Sequence, residues 1–120
     1  YIHSRGWLNY HRISQDLPLH GHGGSKISAT YYISAPENCG DLCLVDPRGG
    51  VDWEKGWDLG INGTKYNRIT PKTGTLVFFP SFVLHWVERN RNSQTRISLT
   101  TDISTLSPRS IEYFANLAGK

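Results

Sequence analysis

The stretch Ile27-Ser28-Ala29-Thr30-Tyr31-Tyr32-Ile33-Ser34 decides the fold class. It alternates with period two: Ile27, Ala29, Tyr31 and Ile33 fall on one face, and Ser28, Thr30, Tyr32 and Ser34 on the other. Successive Cβ atoms of an extended chain point to opposite sides, so this pattern specifies a β-strand. Working outward, the chain continues as short apolar runs separated by turn residues. Upstream, Trp7 to Ile13 reads as a strand, and Ser14 to Ser25 as a polar loop carrying two histidines. Downstream, Pro36 to Gly40 is a turn, and Asp41 to Val45 is a strand stopped by Asp46-Pro47-Arg48-Gly49-Gly50. Val51 to Asn67 is Gly-rich and reads as a long loop or irregular hairpin, followed by a short pairing segment from Arg68 to Thr70. Thr75 to Phe79 is an apolar strand broken by Pro80; Leu84 to Glu88 and Arg96 to Ile103 are further strands. Ser107-Pro108 caps and starts a short helix through Leu117, ended by Gly119.

Many short strands with frequent turns predict an all-β sandwich or barrel with a short C-terminal helix. A parallel βαβ fold would need crossover helices, and only the tail offers one. A length of 120 residues fits a single domain spanning 1–120. The chain begins at Tyr1 and holds no Met, so it reads as the core of a longer protein, lacking N-terminal elements.

Composition narrows the function. At 38% hydrophobic residues the chain is globular rather than disordered. The net charge of +3 is spread rather than blocked, which argues against a nucleic-acid surface. The apolar runs are strand-length, far below the ~20 residues of a membrane-spanning helix. Cys39 and Cys43 would lie about 13 Å apart on an extended strand, too far for a disulfide. Two reduced thiols place the protein in the cytoplasm.

Five histidines are present, and His20-Gly21-His22 is the informative pair. In an extended segment residues i and i+2 point to the same side, so both imidazoles reach one ion. His85 sits in the apolar context Phe82-Val83-Leu84-His85-Trp86-Val87. A buried imidazole there needs a hydrogen-bond partner or a metal. Imidazole suits iron, zinc, nickel and copper. The metal shell is then His20, His22 and His85, or two histidines with the third place left to water, halide, Asp16 or Asp46. His3 and His11 have no such companions and read as ordinary. In Thr95-Arg96-Ile97-Ser98-Leu99-Thr100, Arg96, Ser98 and Thr100 share a polar face. An arginine beside hydroxyls on a strand binds a carboxylate bidentately, and Tyr32 offers a further hydroxyl.

Taken together these residues resemble the iron(II)- and 2-oxoglutarate-dependent oxygenases, and most closely a group of hydroxylases of bacteria and marine phages. That group's pattern His-x-His-Pro, then Leu-Ser-Gly-x-Tyr-Tyr, is similar to His20-Gly21-His22-Gly23 and Ile27-Ser28-Ala29-Thr30-Tyr31-Tyr32. Its Gly-x-Leu-x-Phe-x-Asp-Pro-Arg resembles Gly40 to Arg48. Its Pro-x-x-Gly-x-Leu-x-x-Phe-Pro-Ser, then His-x-Val, is matched by Pro71, Gly74, Leu76, Phe79, Pro80 and Ser81, with His85 and Val87. The closing Arg-Ile-Ser is matched by Arg96-Ile97-Ser98.

The resemblance runs over about residues 7 to 103. It implies a double-stranded β-helix, or jelly roll, with Fe(II) at its mouth. His20 and His85 take ligand positions, and His22 stands where most of the wider superfamily has Asp or Glu. Arg96 salt-bridges the far carboxylate of 2-oxoglutarate, with Tyr32 and Ser98 beside it. The implied reaction consumes 2-oxoglutarate and O₂, releases succinate and CO₂, and hydroxylates an unidentified peptide or small molecule. No side-chain base beyond the metal ligands is required. Trp53, Trp57 and Trp86 are candidates for a substrate cleft. The competing readings are a cupin-type metal enzyme and a non-enzymatic jelly-roll binding module. A cupin wants a glutamate where this chain has Lys26 or Ile27.

Overall fold

The computed structural model describes residues 2–47 and 66–119. In chain order the described elements are β1 (Ile2–His11), β2 (Leu17–His20), β3 (Ile27–Ser34), β4 (Leu42–Val45), β5 (Tyr66–Ile69), β6 (Leu76–Pro80), β7 (His85–Val87), β8 (Arg96–Thr105) and α1 (Pro108–Ala118). They form two four-stranded sheets, β1-β8-β3-β6 and β2-β7-β4-β5, with every pairing antiparallel. This is the jelly-roll-like, mostly β architecture with a short C-terminal helix that the strand pattern predicts. Trp53 and Trp57 lie outside the described residues.

Most strand ends differ from the sequence reading by one or two residues, and three boundaries differ for a physical reason. β1 starts five residues before Trp7, because its outer half pairs in register with the end of β8, Ile2 opposite Thr105. β2 lies inside the segment read as a polar loop. Its four residues are too few for a periodic signal, and Pro18 masks the rest; its pairing with β7 makes it a strand. Pro80 ends β6 from within, at the edge of the first sheet, where no ladder partner needs its missing N–H.

The two sheets contribute different chemistry to the space between them. The second sheet and β6 supply an apolar cluster of Leu42, Phe79, Val83 and Val87, flanked by Leu17, Leu44, Ile69 and Val77. The inward face of the first sheet is mostly polar. Ser28 and Tyr32 of β3, and Arg96, Ser98, Thr100 and Asp102 of β8, are all buried. The alternation in β3 is therefore oriented with its hydroxyls inward, while Ile27, Tyr31 and Ile33 are partly exposed on the outer face. A row of Leu8, Leu99, Tyr31 and Leu76 crosses that outer face in register.

Turns and caps follow local chemistry. The Ser107 hydroxyl accepts from the Ser110 N–H at 3.2 Å and caps α1, with Pro108 in its first turn. Among the described residues, no helix is long and apolar enough to cross a membrane. Asn90, fully buried, donates to the carbonyls of His11 and Gln94 and accepts from the Asn92 N–H, tying the β7–β8 connection to the end of β1. Gly40 has φ +94°, and a Cβ there would overlap the backbone carbonyl of Glu88. Gly40→Ala is expected to destabilise the protein by about 3 kcal/mol from strain and overlap together, read as a lowered midpoint in urea unfolding.

Candidate metal centre

The histidines converge because the strands bring them together. β2 pairs with β7 so that His20 lies directly opposite His85. His22 follows two residues after His20, and its backbone N–H bonds the Ser81 carbonyl at 3.1 Å, which holds the segment against the turn after β6. The ring centroids are 4.2 Å apart for His20 and His85, 5.1 Å for His22 and His85, and 5.2 Å for His20 and His22. One ligand atom from each lies within 4.8 Å of the others, and among the described residues this is the one such cluster. Three cis ligands at ~2.1 Å from an ion would be about 3 Å apart, so side-chain shifts of about an ångström close the site.

Each imidazole has its proton fixed by an acceptor on the far side. His20 Nδ1 is 2.8 Å from the Pro18 carbonyl, and His85 Nδ1 is 3.0 Å from the Val83 carbonyl. His22 Nδ1 is 2.6 Å from Asp102 Oδ1. A carbonyl or carboxylate oxygen only accepts, so all three Nδ1 atoms carry hydrogen, which leaves Nε2 as the ligand atom of each ring. This is the arrangement that second-layer partners impose on metal-binding histidines. Burial pushes His85 down to about 4, against an opposing bond to the Val83 carbonyl and with help from His20 and His22. It is therefore neutral and able to ligate at any ordinary pH. Asp16, a candidate third ligand by sequence, instead faces Arg89 at 3.7 Å.

Arg96 lines the same cavity as the three histidines. It is 2% exposed. Its Nη1 donates to the carbonyls of Gly40 at 3.2 Å and Cys39 at 3.4 Å, and its Nη2 donates to His11 Nδ1 at 2.5 Å. Its Nε has no partner. The unsatisfied edge is thus Nε–H with the second Nη2 hydrogen, the pair that grips a carboxylate side-on. Among the described residues no carboxylate bonds it. A buried cation with an orphaned donor, in a residue that lines a cavity, fits an anionic guest. Tyr32 and Ser98, neighbours across β3 and β8, line the cavity too. Burial pushes the Tyr32 hydroxyl up to about 12, although Arg96 opposes the shift, so it stays a neutral donor.

Trp86 lies elsewhere. It sits between His85 and Val87 on β7 and so faces away from them, meeting Tyr66 edge-on at 4.6 Å and lining a separate groove with Leu19, Arg68 and Arg89.

Several residues in or behind the cavity wall escaped the sequence reading. His11, read as ordinary, is buried opposite Arg96 in the β1–β8 register. Burial and the adjacent guanidinium hold it below the usual histidine value, so its Nδ1 is free to accept. Asp102 is 3% exposed and extends the polar face of Arg96, Ser98 and Thr100 by one more step of two. The alternation that flagged Arg96 would have found it. Trp7 and Asn9 close the cavity from β1; Asn9 donates to the Thr100 hydroxyl at 2.8 Å. No sequence signal marks their inward direction, since which face of β1 turns in depends on its register with β8.

Comparison with solved structures gives the same architecture. An oxidoreductase of the 2OG-Fe(II) oxygenase family from Burkholderia pseudomallei superposes with a TM-score of 0.68 at 17% identity, over 87% of this chain and 45% of that one. A Pseudomonas putida prolyl-4-hydroxylase superposes with a TM-score of 0.64 at 19% identity, over 87% of this chain and 52% of that one. The chain thus spans about half the length of these structural relatives. No curated protein matches it by sequence. A family model described as "Putative 2OG-Fe(II) oxygenase" matches residues 5–102, which take in all three histidines and Arg96. The chain therefore belongs to the 2OG-Fe(II) oxygenase family.

Proposed function

We propose that the protein is an Fe(II)- and 2-oxoglutarate-dependent oxygenase that hydroxylates a peptide or small-molecule substrate. One observation carries the reading. Three imidazoles with converging ligand atoms and a buried arginine with an unpartnered Nε line one cavity. A metal site alone would not require Arg96, and an anion site alone would not require three converging imidazoles.

The roles follow from the contacts. His20, His22 and His85 would hold the iron, which when bound would supply the oxidising chemistry that couples decarboxylation of 2-oxoglutarate by O₂, to succinate and CO₂, to substrate hydroxylation. Arg96 orients the co-substrate by its far carboxylate. Gly40, Cys39 and His11 fix the guanidinium through Nη1 and Nη2 and leave its Nε without a partner. The hydroxyls of Tyr32 and Ser98 stand beside that carboxylate position. Leu17, Leu42 and Val87 form an apolar wall that excludes water from the cavity. Trp7 lies at the histidine side, its ring centroid 5.5 Å from that of His22, and is better placed than Trp86 to touch a substrate.

Replacing His20 and His85 together with Ala is expected to abolish stoichiometric binding of Fe(II) or Mn(II), read by calorimetry; an unchanged stoichiometry contradicts the ligand set. Arg96→Lys keeps the charge but loses the side-on pair of donors. It is expected to weaken 2-oxoglutarate binding about tenfold or more while leaving metal affinity within a few-fold. Anaerobic addition of 2-oxoglutarate to the Fe(II) protein should develop a visible charge-transfer band in the wild type and a weakened one in the variant at the same concentration.

His85 also sets a pH dependence of the metal-free protein. It is neutral in the fold and lowered from 6.5 to about 4 by burial, so the unfolded chain binds more protons between those values. Stability is full well above pH 6.5 and falls as pH drops towards 4, by roughly 3 kcal/mol. Urea midpoints across that range check the slope, and His85→Gln should flatten it.

A further inference from the structure

Three neutral imidazoles leave a divalent ion its full charge of +2, whereas two histidines and one carboxylate would reduce it to +1. The position that carries a carboxylate in most of the wider superfamily is His22 here. Behind it lies a buried carboxylate, Asp102, with Oδ1 2.6 Å from His22 Nδ1. We propose that Asp102 is a positioning residue that returns this missing negative charge to the metal through His22, so that the His22–Asp102 pair acts as the anionic ligand of the site. The inference rests on the metal-binding reading above.

The surroundings of Asp102 support this role over a purely structural one. Ser28 Oγ donates to Asp102 Oδ1 at 2.7 Å and is itself 2.9 Å from Ser81 Oγ, so the carboxylate is held from β3 as well as from His22. Among the described residues the arginine or lysine paired with it is Arg5, whose Nη2 lies 3.4 Å from Oδ2, with a side chain 70% exposed. A long, solvated ion pair of that kind contributes little. It does not account for a carboxylate whose own side chain is 2% exposed. Burying a charge is unfavourable unless a cation and hydrogen bonds answer it. A metal on the opposite nitrogen of the His22 ring is a cation in the right place. Two short bonds, from His22 Nδ1 and from Ser28 Oγ, converge on Asp102 Oδ1, the arrangement that suits a carboxylate in its charged form. The register makes the arrangement obligatory. Asp102 pairs with Ser28 on one side and Arg5 on the other, two steps along the inward face from Thr100.

Moving the charge provides the test. Mn(II) and Co(II) affinities would be measured by calorimetry on the wild type, Asp102→Asn, His22→Asp and the His22→Asp/Asp102→Asn double variant, with thermal melts of each metal-free protein. Asp102→Asn keeps an oxygen to accept from Nδ1 but loses the charge, and is expected to weaken the metal about 10- to 100-fold. With a carboxylate at position 22 the same substitution should change affinity by no more than about threefold. The Co(II) visible spectrum should shift in Asp102→Asn and not between the two His22→Asp proteins. Should Asp102→Asn fail to fold, Asp102→Ser, which removes the charge and leaves room for a water to accept from Nδ1, takes its place. An Asp102→Asn protein that binds metal within twofold of the wild type overturns the proposal. So does a double variant that binds no more tightly than Asp102→Asn. A wild type that binds no divalent ion overturns instead the metal-binding reading on which the proposal stands.

Discussion

The pairing of β8 between β1 and β3 is the constraint on which the rest of the structure depends. It sets the inward face of β8 as Arg96, Ser98, Thr100 and Asp102, and it lays one inward residue of each neighbour beside every one of them except Arg96, whose β3 side is displaced by a bulge. Arg96 meets His11, Ser98 lies between Asn9 and Tyr32, Thr100 between Trp7 and Thr30, and Asp102 between Arg5 and Ser28. A slip of one residue would turn this polar set to solvent and bring Ile97, Leu99 and Ile103 inward. The site would vanish, although the resulting sandwich would have a more ordinary core.

That choice has an energetic consequence. A sandwich of this size normally derives its stability from apolar side chains between the sheets. Here the apolar cluster is confined to the second sheet and β6, while the first sheet buries a guanidinium, a carboxylate, an imidazole and several hydroxyls. Nearly all are matched: Asp102 to His22 and Ser28, Asn9 to Thr100, and Arg96 Nη1 and Nη2 to Cys39, Gly40 and His11. The exception is Arg96 Nε. An unmatched donor at the centre of a hydrogen-bonded wall is the kind of local conflict that proteins retain at functional sites. In the function proposed above the two ends of this wall have distinct tasks, Asp102 supporting the metal side through His22 and Arg96 receiving an anion.

Much of this was legible in the residues themselves. Period-two alternation in 27–34 and 96–103, together with turns at Gly, Pro and Asn, specifies a two-sheet β-fold, and the His-x-His spacing with a distant His85 specifies a shared ion. What was not legible follows from physics that acts between strands. β2 is a strand because β7 lies beside it, not because of its four residues. Alternation shows that β3 has two faces but not which is inward, and the usual rule that apolar faces turn in is reversed here. His11 looks solitary in the sequence because its companion, Arg96, is 85 residues away and reaches it only through the β1–β8 register. Trp86 sits next to His85 in the chain, yet strand geometry sends the two side chains to opposite sides. Trp7, far from any histidine in sequence except His3 and His11, ends beside His22.

The most direct test of the central claim is a crystal structure of the protein grown anaerobically with Mn(II) and 2-oxoglutarate. The account predicts one ion bound by the Nε2 atoms of His20, His22 and His85, with the far carboxylate of 2-oxoglutarate on Arg96 Nε and Nη2. An ion bound elsewhere, or a co-substrate whose carboxylates leave the Nε of Arg96 unengaged, would contradict it.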